Sequence, residues 1–235
     1  MTKHSVQSSS ANLSTVGIAM PPDFPRVSYE AIHEHCKAKM TSNPPLASKR
    51  KEYSAAWHAV AYRYLALSEH DKAFAEAIAR NSHFDRYIQE RELFNFFIAG
   101  LSTLETLSYG LYFLASIACA NDFPVNNPRS ITLSSTTEHF LKTFPKKSIT
   151  SRLDALRNDP NFREWCNVRN ILAHRCAPGR IIYPFIGGPP TDPDDIWQLD
   201  SIPLNEDTTR LRRKWLSQML TQLLDDARIF VKENL

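Results

Sequence analysis

Arg169, Asn170, His174 and Arg175 lie within one run of seven residues, Arg-Asn-Ile-Leu-Ala-His-Arg. An arginine presents a rigid fork to phosphate oxygens, and a histidine exchanges a proton near neutral pH. Such a set fits cleavage of a phosphodiester by an adjacent hydroxyl, without a metal. The run closes a segment that starts and stops like a helix. Asp159 can cap it with Pro160 at the first helical position, and Ala177-Pro178-Gly179 ends it, so a helix is expected over 160–176. At ~100° per residue, Trp165, Val168 and Leu172 form one apolar stripe, with Asn167, Asn170 and His174 on the opposite side. In the last turn the helix dipole favours the imidazolium, which suits a general acid or a phosphate contact.

Arg169 projects about 40° from Trp165, beside the apolar stripe, where an unpaired charge would cost several kcal/mol. Glu105 raises the same problem with opposite sign, being the only charged residue between Leu93 and Ala120. The two are therefore expected to pair, or to share a polar network, where the motif helix packs on the helix carrying Glu105.

The elements that must hold this site read as helices. The chain has 235 residues, 43% of them apolar, enough for one domain or a domain with a small satellite. It has 6 glycines, and most of its 15 prolines lie outside the periodic stretches, so the expected class is all-α. A net charge of +3 gives no polyanion-binding surface overall and leaves room only for a local patch. Cys36, Cys119, Cys166 and Cys176 lack Cys-x-x-Cys spacing and no secretion signal is evident, so they read as reduced thiols of a cytoplasmic protein. Cys166, His174 and Cys176 do not match a zinc spacing, and neither does His33-Glu34-His35-Cys36, which reads as a solvated helix face. No metal or cofactor is expected. Neither a Gly-x-Ser-x-Gly elbow nor a phosphate-binding P-loop is present, which sets those enzyme classes aside.

Residues 1–25 are polar and Pro-containing and read as a disordered tail. Residues 26–82 read as an N-terminal helical extension, with helices over 28–40 and 50–81 separated by Ser-Asn-Pro-Pro at 42–45. A long apolar helix follows over 84–120. It reads as the buried centre of a bundle, with a membrane span as the alternative that Glu105 opposes. A loop at 121–128, short helices over 135–143 and 150–158 and the motif helix come next. Residues 177–205 hold a Pro-rich loop or a small β-hairpin, and a final amphipathic helix runs over 206–232. Its stripe of Leu211, Trp215, Met219, Leu223 and Ala227, with Leu216, Leu220 and Leu224 beside it, should close the bundle or bind a second copy.

Arg169-Asn170-x-x-x-His174 resembles the motif of the HEPN superfamily, an arginine followed four to six positions later by a histidine, often with a polar residue directly after the arginine. The resemblance covers about residues 83–235 and implies an antiparallel helical bundle and frequent homodimers that bring two motif helices together. It also implies, in active members, metal-independent endoribonuclease activity, often in toxins or phage defence. On that basis Arg169, Asn170 and His174 are the candidate catalytic residues, with Arg175, Glu105 and Asn167 binding substrate or supporting them. RNA is the expected substrate, and any antitoxin or regulatory partner is a separate chain. The alternative is a noncatalytic HEPN-like module that binds RNA, a nucleotide or a protein through the same groove.

Overall fold

The computed structural model describes residues 17–43, 46–80, 82–174, 179–180, 197–199 and 202–235. The described residues are mostly helical, as the periodicity predicts. The helices are α1 (Arg26–Thr41), α2 (Ala47–Ile78), α3 (His83–Ala118), α4 (Leu133–Thr143), α5 (Ser148–Asn158), α6 (Pro160–His174) and α7 (Glu206–Asn234), with a 3-10 turn at Pro128–Ser130. Before α7, the short strands β1 (Gly179–Arg180), β2 (Trp197–Leu199) and β3 (Ile202–Pro203) pair antiparallel in that order. Residues 181–196, in the Pro-rich stretch, lie outside the described residues.

Local chemistry sets the helix starts. Ser82 accepts from the Asp85 amide at 3.1 Å, and the Asp85 carboxylate accepts from the Ser82 amide at 3.1 Å, a capping box that opens α3. Thr132 with Ser135, and Asn205 with Thr208, open α4 and α7 in the same reciprocal way. Asp159 caps α6 as its sequence predicts: its Oδ1 accepts from the Asn161 amide at 2.7 Å, and Pro160 takes the first helical position.

α2 and α3 form a long antiparallel pair at the centre. Polar ties mark its length: Gln89 donates to the Ala77 carbonyl at 2.7 Å, His70 meets Glu92 at 2.6 Å, Arg63 donates to the Ser102 carbonyl at 3.3 Å, and Lys49 donates to the Ser116 carbonyl. Partners rise on one helix as they fall on the other, which fixes one register. The core between these helices and α1, α6 and α7 is aromatic, with Trp57, Trp165, Tyr29, Tyr64, Phe96, Phe97, Phe113 and Phe230 fully buried. Among the described residues no helix is long and apolar enough to cross a membrane. Glu105 explains the apolar run on α3: one face is buried in the bundle, and the carboxylate lies on the other.

Three expectations are corrected. Residues expected to lie in the tail belong to the core from Met20 onward. Met20 and Phe24 are buried, and Asp23 accepts from Arg213 Nε and Nη2 of α7, each at 2.8 Å, and from the Tyr64 hydroxyl at 2.8 Å. Two large apolar groups and a bidentate charged pair outweigh the polar composition around them. The His33–Cys36 segment is not a solvated face. Glu34 and His35 are exposed, but helical spacing turns His33 and Cys36 inward. Burial lowers the His33 pKa and pushes the Cys36 thiol up to about 12, so both are held neutral. The apolar stripe of α7 departs from the expected one only at its N-terminal end. Leu216, Met219, Leu220, Leu223, Leu224 and Ala227 are buried as expected and Phe230 and Val231 extend the stripe, but Trp215 is half-buried and Leu211 is 52% exposed. α7 closes the bundle against α1, α2, α3 and α5.

One close approach seats the motif helix. A Cβ built on Gly100 of α3 would lie 2.2 Å from Trp165 Cζ2 and 2.7 Å from Leu67 Cδ1, so only glycine leaves room for the indole. The indole cannot swing aside freely, because its Nε1–H donates to the Phe97 carbonyl at 2.9 Å. Alanine is favoured over glycine inside a helix by about 1 kcal/mol, so a loss on substitution isolates the clash. Gly100→Ala is expected to lower stability by about 1–3 kcal/mol, the usual cost of overpacking, read as a fall in Tm by circular dichroism. An unchanged or raised Tm would show that α6 does not sit in this notch.

Candidate functional site

The site is built on the last three turns of α6 where they lie along α3. Trp165 is the foot of the arrangement. Its ring stacks on Phe96 at 5.4 Å, meets Phe97 edge-on at 5.5 Å and lies 5.8 Å from Trp215 of α7. Arg212 of α7 adds a second clamp, reaching Glu164 of α6 at 2.6 Å with its guanidinium over the Phe97 ring. With Trp165 and Val168 buried, the rotation of α6 is set, and it places each motif residue.

Arg169 lands one turn on, with Nη2 3.6 Å from Glu105 Oε1 on α3. Trp165 faces Phe97 and Gly100, and Arg169 faces Glu105, so α3 and α6 advance in the same direction. The expected pair is present, but its setting differs from the expected one. The Glu105 side chain is 52% exposed and that of Arg169 30%, so neither charge is buried in the bundle. The wheel places Arg169 at the edge of the apolar stripe, and the long side chain carries its end to the surface, a common behaviour of arginine. Only Nε of Arg169 is sequestered, with no hydrogen-bond partner among the described residues.

Asn167, Asn170 and His174 are exposed on the side of α6 away from Trp165, as the wheel predicts, with Asn170 and His174 one turn apart. Arg175 and Cys176, also read as part of the motif helix, lie outside the described residues. Cys166 is half-buried close to the Arg169–Glu105 pair. Burial raises its thiol pKa, Arg169 pulls it down and Glu105 pushes it up, and the net rise keeps it a protonated thiol rather than a nucleophile. Among the described residues no group of three or more His, Cys, Asp or Glu could hold a metal ion.

The structure adds a neighbour that the sequence does not reveal. A groove of about 410 Å³ runs between α2 and α3, with Ala55 and Ala59 on one wall and Ser102, Glu105 and Tyr109 on the other. Arg63 of α2 stands at the same groove. Partial burial lowers its pKa while the charge of Glu105 acts to raise it. Glu105 thus interacts with guanidiniums from two different helices. Nothing local to Arg63 marks it: it is one more exposed cation on α2, and only the α2–α3 register brings it to Ser102 and Glu105.

Comparison of the chain with protein-family models, curated proteins and solved structures finds no match. The chemistry of the site therefore rests on its own residues.

The exposure of the Arg169–Glu105 pair has a measurable consequence. Exposed ion pairs contribute about 0.2–1 kcal/mol, against ~3–5 kcal/mol lost when one member of a buried pair is removed. Glu105→Gln is expected to shift unfolding free energy in urea by less than about 1 kcal/mol. A loss several times larger would mean that the pair is a structural brace of the bundle.

Proposed function

We propose that this chain is a metal-independent endoribonuclease of HEPN type, its helices forming the bundle of that superfamily with the Pro-rich segment inserted before α7. The observation that carries the reading is the exposure of Asn170 and His174 one turn apart on α6, next to an Arg169 held at the surface by Glu105. A substrate can reach all three. On this reading Arg169 and Arg175 hold the scissile phosphate, Asn170 and Asn167 orient the site, and Glu105 positions Arg169. The 2′-hydroxyl of the ribose gives up its proton to solvent and attacks phosphorus as the bond to the 5′-oxygen breaks, and His174 supplies the proton that the leaving oxygen takes up. The products are a 2′,3′-cyclic phosphate and a 5′-hydroxyl. A homodimer would bring two such faces together. The setting that suits the activity is cytoplasmic, as a toxin or a phage-defence nuclease restrained by a separate antitoxin or regulatory protein.

One observation favours a second reading, a noncatalytic module that binds RNA, a nucleotide or a protein. Glu105 competes with any phosphate for Arg169, a carboxylate 3.6 Å from the guanidinium that an active site would have to displace or outbid. Cleavage decides between them. Parent protein and His174→Ala, matched in helicity by circular dichroism, are incubated with total and defined RNA in EDTA. The parent is expected to leave cyclic phosphate ends, and the variant to lose about 100-fold or more in rate, the typical contribution of a positioned proton donor. RNA left intact by both proteins would reject the nuclease and favour the binding module.

A further inference from the structure

We infer that Arg63 is a second phosphate-holding arginine of this site, and that single-stranded RNA reaches α6 by lying in the groove between α2 and α3. The inference rests on the reading of RNA as the ligand, and it adds a residue and a path that the motif does not contain.

The groove has the size and walls for such an occupant. Its volume of about 410 Å³ falls in the range of sites that take one small ligand, and it opens along the surface as a strand requires. Ala55 and Ala59 present only methyl groups on the α2 side, so a flat base can approach the helix closely. Tyr109 lines the α3 side, held by Phe113 at 4.9 Å and by its hydroxyl donating to Glu52 at 3.2 Å, and an aromatic ring on a groove wall is the usual sequence-tolerant partner of an unpaired base. From Ser102 to Tyr109 the wall runs ~10 Å along α3, long enough for more than one nucleotide.

Charge marks one part of the groove. Arg63 of α2 and Arg169 of α6 both interact with Glu105, the carboxylate on the groove wall, while Glu52 accepts from the Tyr109 hydroxyl at 3.2 Å. Around Glu105 two guanidiniums therefore face one carboxylate, which leaves the positive charge that a phosphate would meet there. Among the described residues Arg63 makes one long bond, 3.3 Å to the Ser102 carbonyl, which leaves donors of its fork for phosphate oxygens. A strand with one phosphate on Arg63 and the next toward Arg169 would draw Arg169 from Glu105, so the groove contact would ready the arginine that the motif supplies.

Binding tests this apart from cleavage. A fluorescein-labelled, fully 2′-O-methyl single-stranded RNA, which has no 2′-hydroxyl to attack, is titrated by fluorescence polarisation at several salt concentrations. The full chain is compared with Arg63→Gln, Arg63→Lys and a control, Arg210→Gln, in which the replaced residue pairs with Asp207 on the exposed start of α7. Loss of one charged contact is expected to weaken binding about tenfold or more, and to flatten the log–log salt slope by about 0.7, the value for one phosphate on a single strand. Arg63→Lys should recover part of the affinity and the full slope, and Arg210→Gln should bind as the parent. Parent-like affinity and slope in Arg63→Gln would overturn the inference, as would a parent that does not bind the oligonucleotide. The two readings fail separately: a parent that binds through Arg63 but cleaves nothing sustains the groove and rejects the nuclease. A parent that cleaves RNA while Arg63→Gln keeps its binding and its KM sustains the nuclease and rejects the groove.

Discussion

The site depends on one buried contact, the indole of Trp165 set against Gly100. Helix packing leaves rotation about the helix axis to be fixed by side chains, and here a single large ring fixes it. The missing Cβ at Gly100 admits the ring, the Phe97 carbonyl orients it by accepting its N–H, and Phe96, Phe97 and Trp215 close around it. Once that face of α6 is committed, the opposite face has no choice. Asn167, Asn170 and His174 must look outward, and Arg169 must emerge at the border, level with Glu105.

The border position gives Arg169 its character. A guanidinium in the core would need a fully desolvated partner, and the pair would be a structural element with little freedom. At the surface the 3.6 Å pair with Glu105 is loose enough to exchange, since its strength is screened by water and salt. On the proposed reading Glu105 is a placeholder anion, holding Arg169 at the surface until a stronger acceptor arrives. The contrast lies near the start of α7, where Asp23, Arg213, Asp71 and Tyr64 form a tighter network. There Arg213 takes both carboxylates within 3.1 Å and straps the segment before α1 to α7. The same residue types hold structure in one place and leave a site available in the other, and distance and exposure make the difference.

Periodicity made the helices legible. Each expected helix is present with its ends shifted by a few residues, and the wheel of α6 separated Trp165 and Val168 from Asn167, Asn170 and His174 as the structure does. The Arg169–Glu105 pair was legible too, because two charges in apolar settings raise the same physical question. What stayed hidden was tertiary. Met20 and Phe24 sit in a polar stretch whose burial depends on Arg213, 190 positions away from Asp23. Cys36 turns inward one turn after Ile32, at the helical spacing the sequence shows, and His33 follows them because α1 packs a wider inner face than those two residues announce. Leu211 matches the i, i+4 pattern of α7 but lies in its first turns, where Arg212 rather than leucine makes the inward contact with Glu164 and Phe97. Arg63 and Tyr109 join the site only through the register of α2 on α3, and no local signal encodes that register.

The seating of α6 by Trp165 is the claim on which the rest turns, and amide hydrogen exchange in Trp165→Phe tests it most directly. Phenylalanine keeps an aromatic ring in the notch but cannot donate to the Phe97 carbonyl, a loss of about 1 kcal/mol or more for a buried hydrogen bond. The account predicts that amides from Val168 to His174 exchange at least about fivefold faster, while those in the centres of α2 and α3 keep their protection. Unchanged protection along α6, or an equal loss in α2 and α3, would contradict it, because α6 would then be held by the bundle as a whole and not by this one contact.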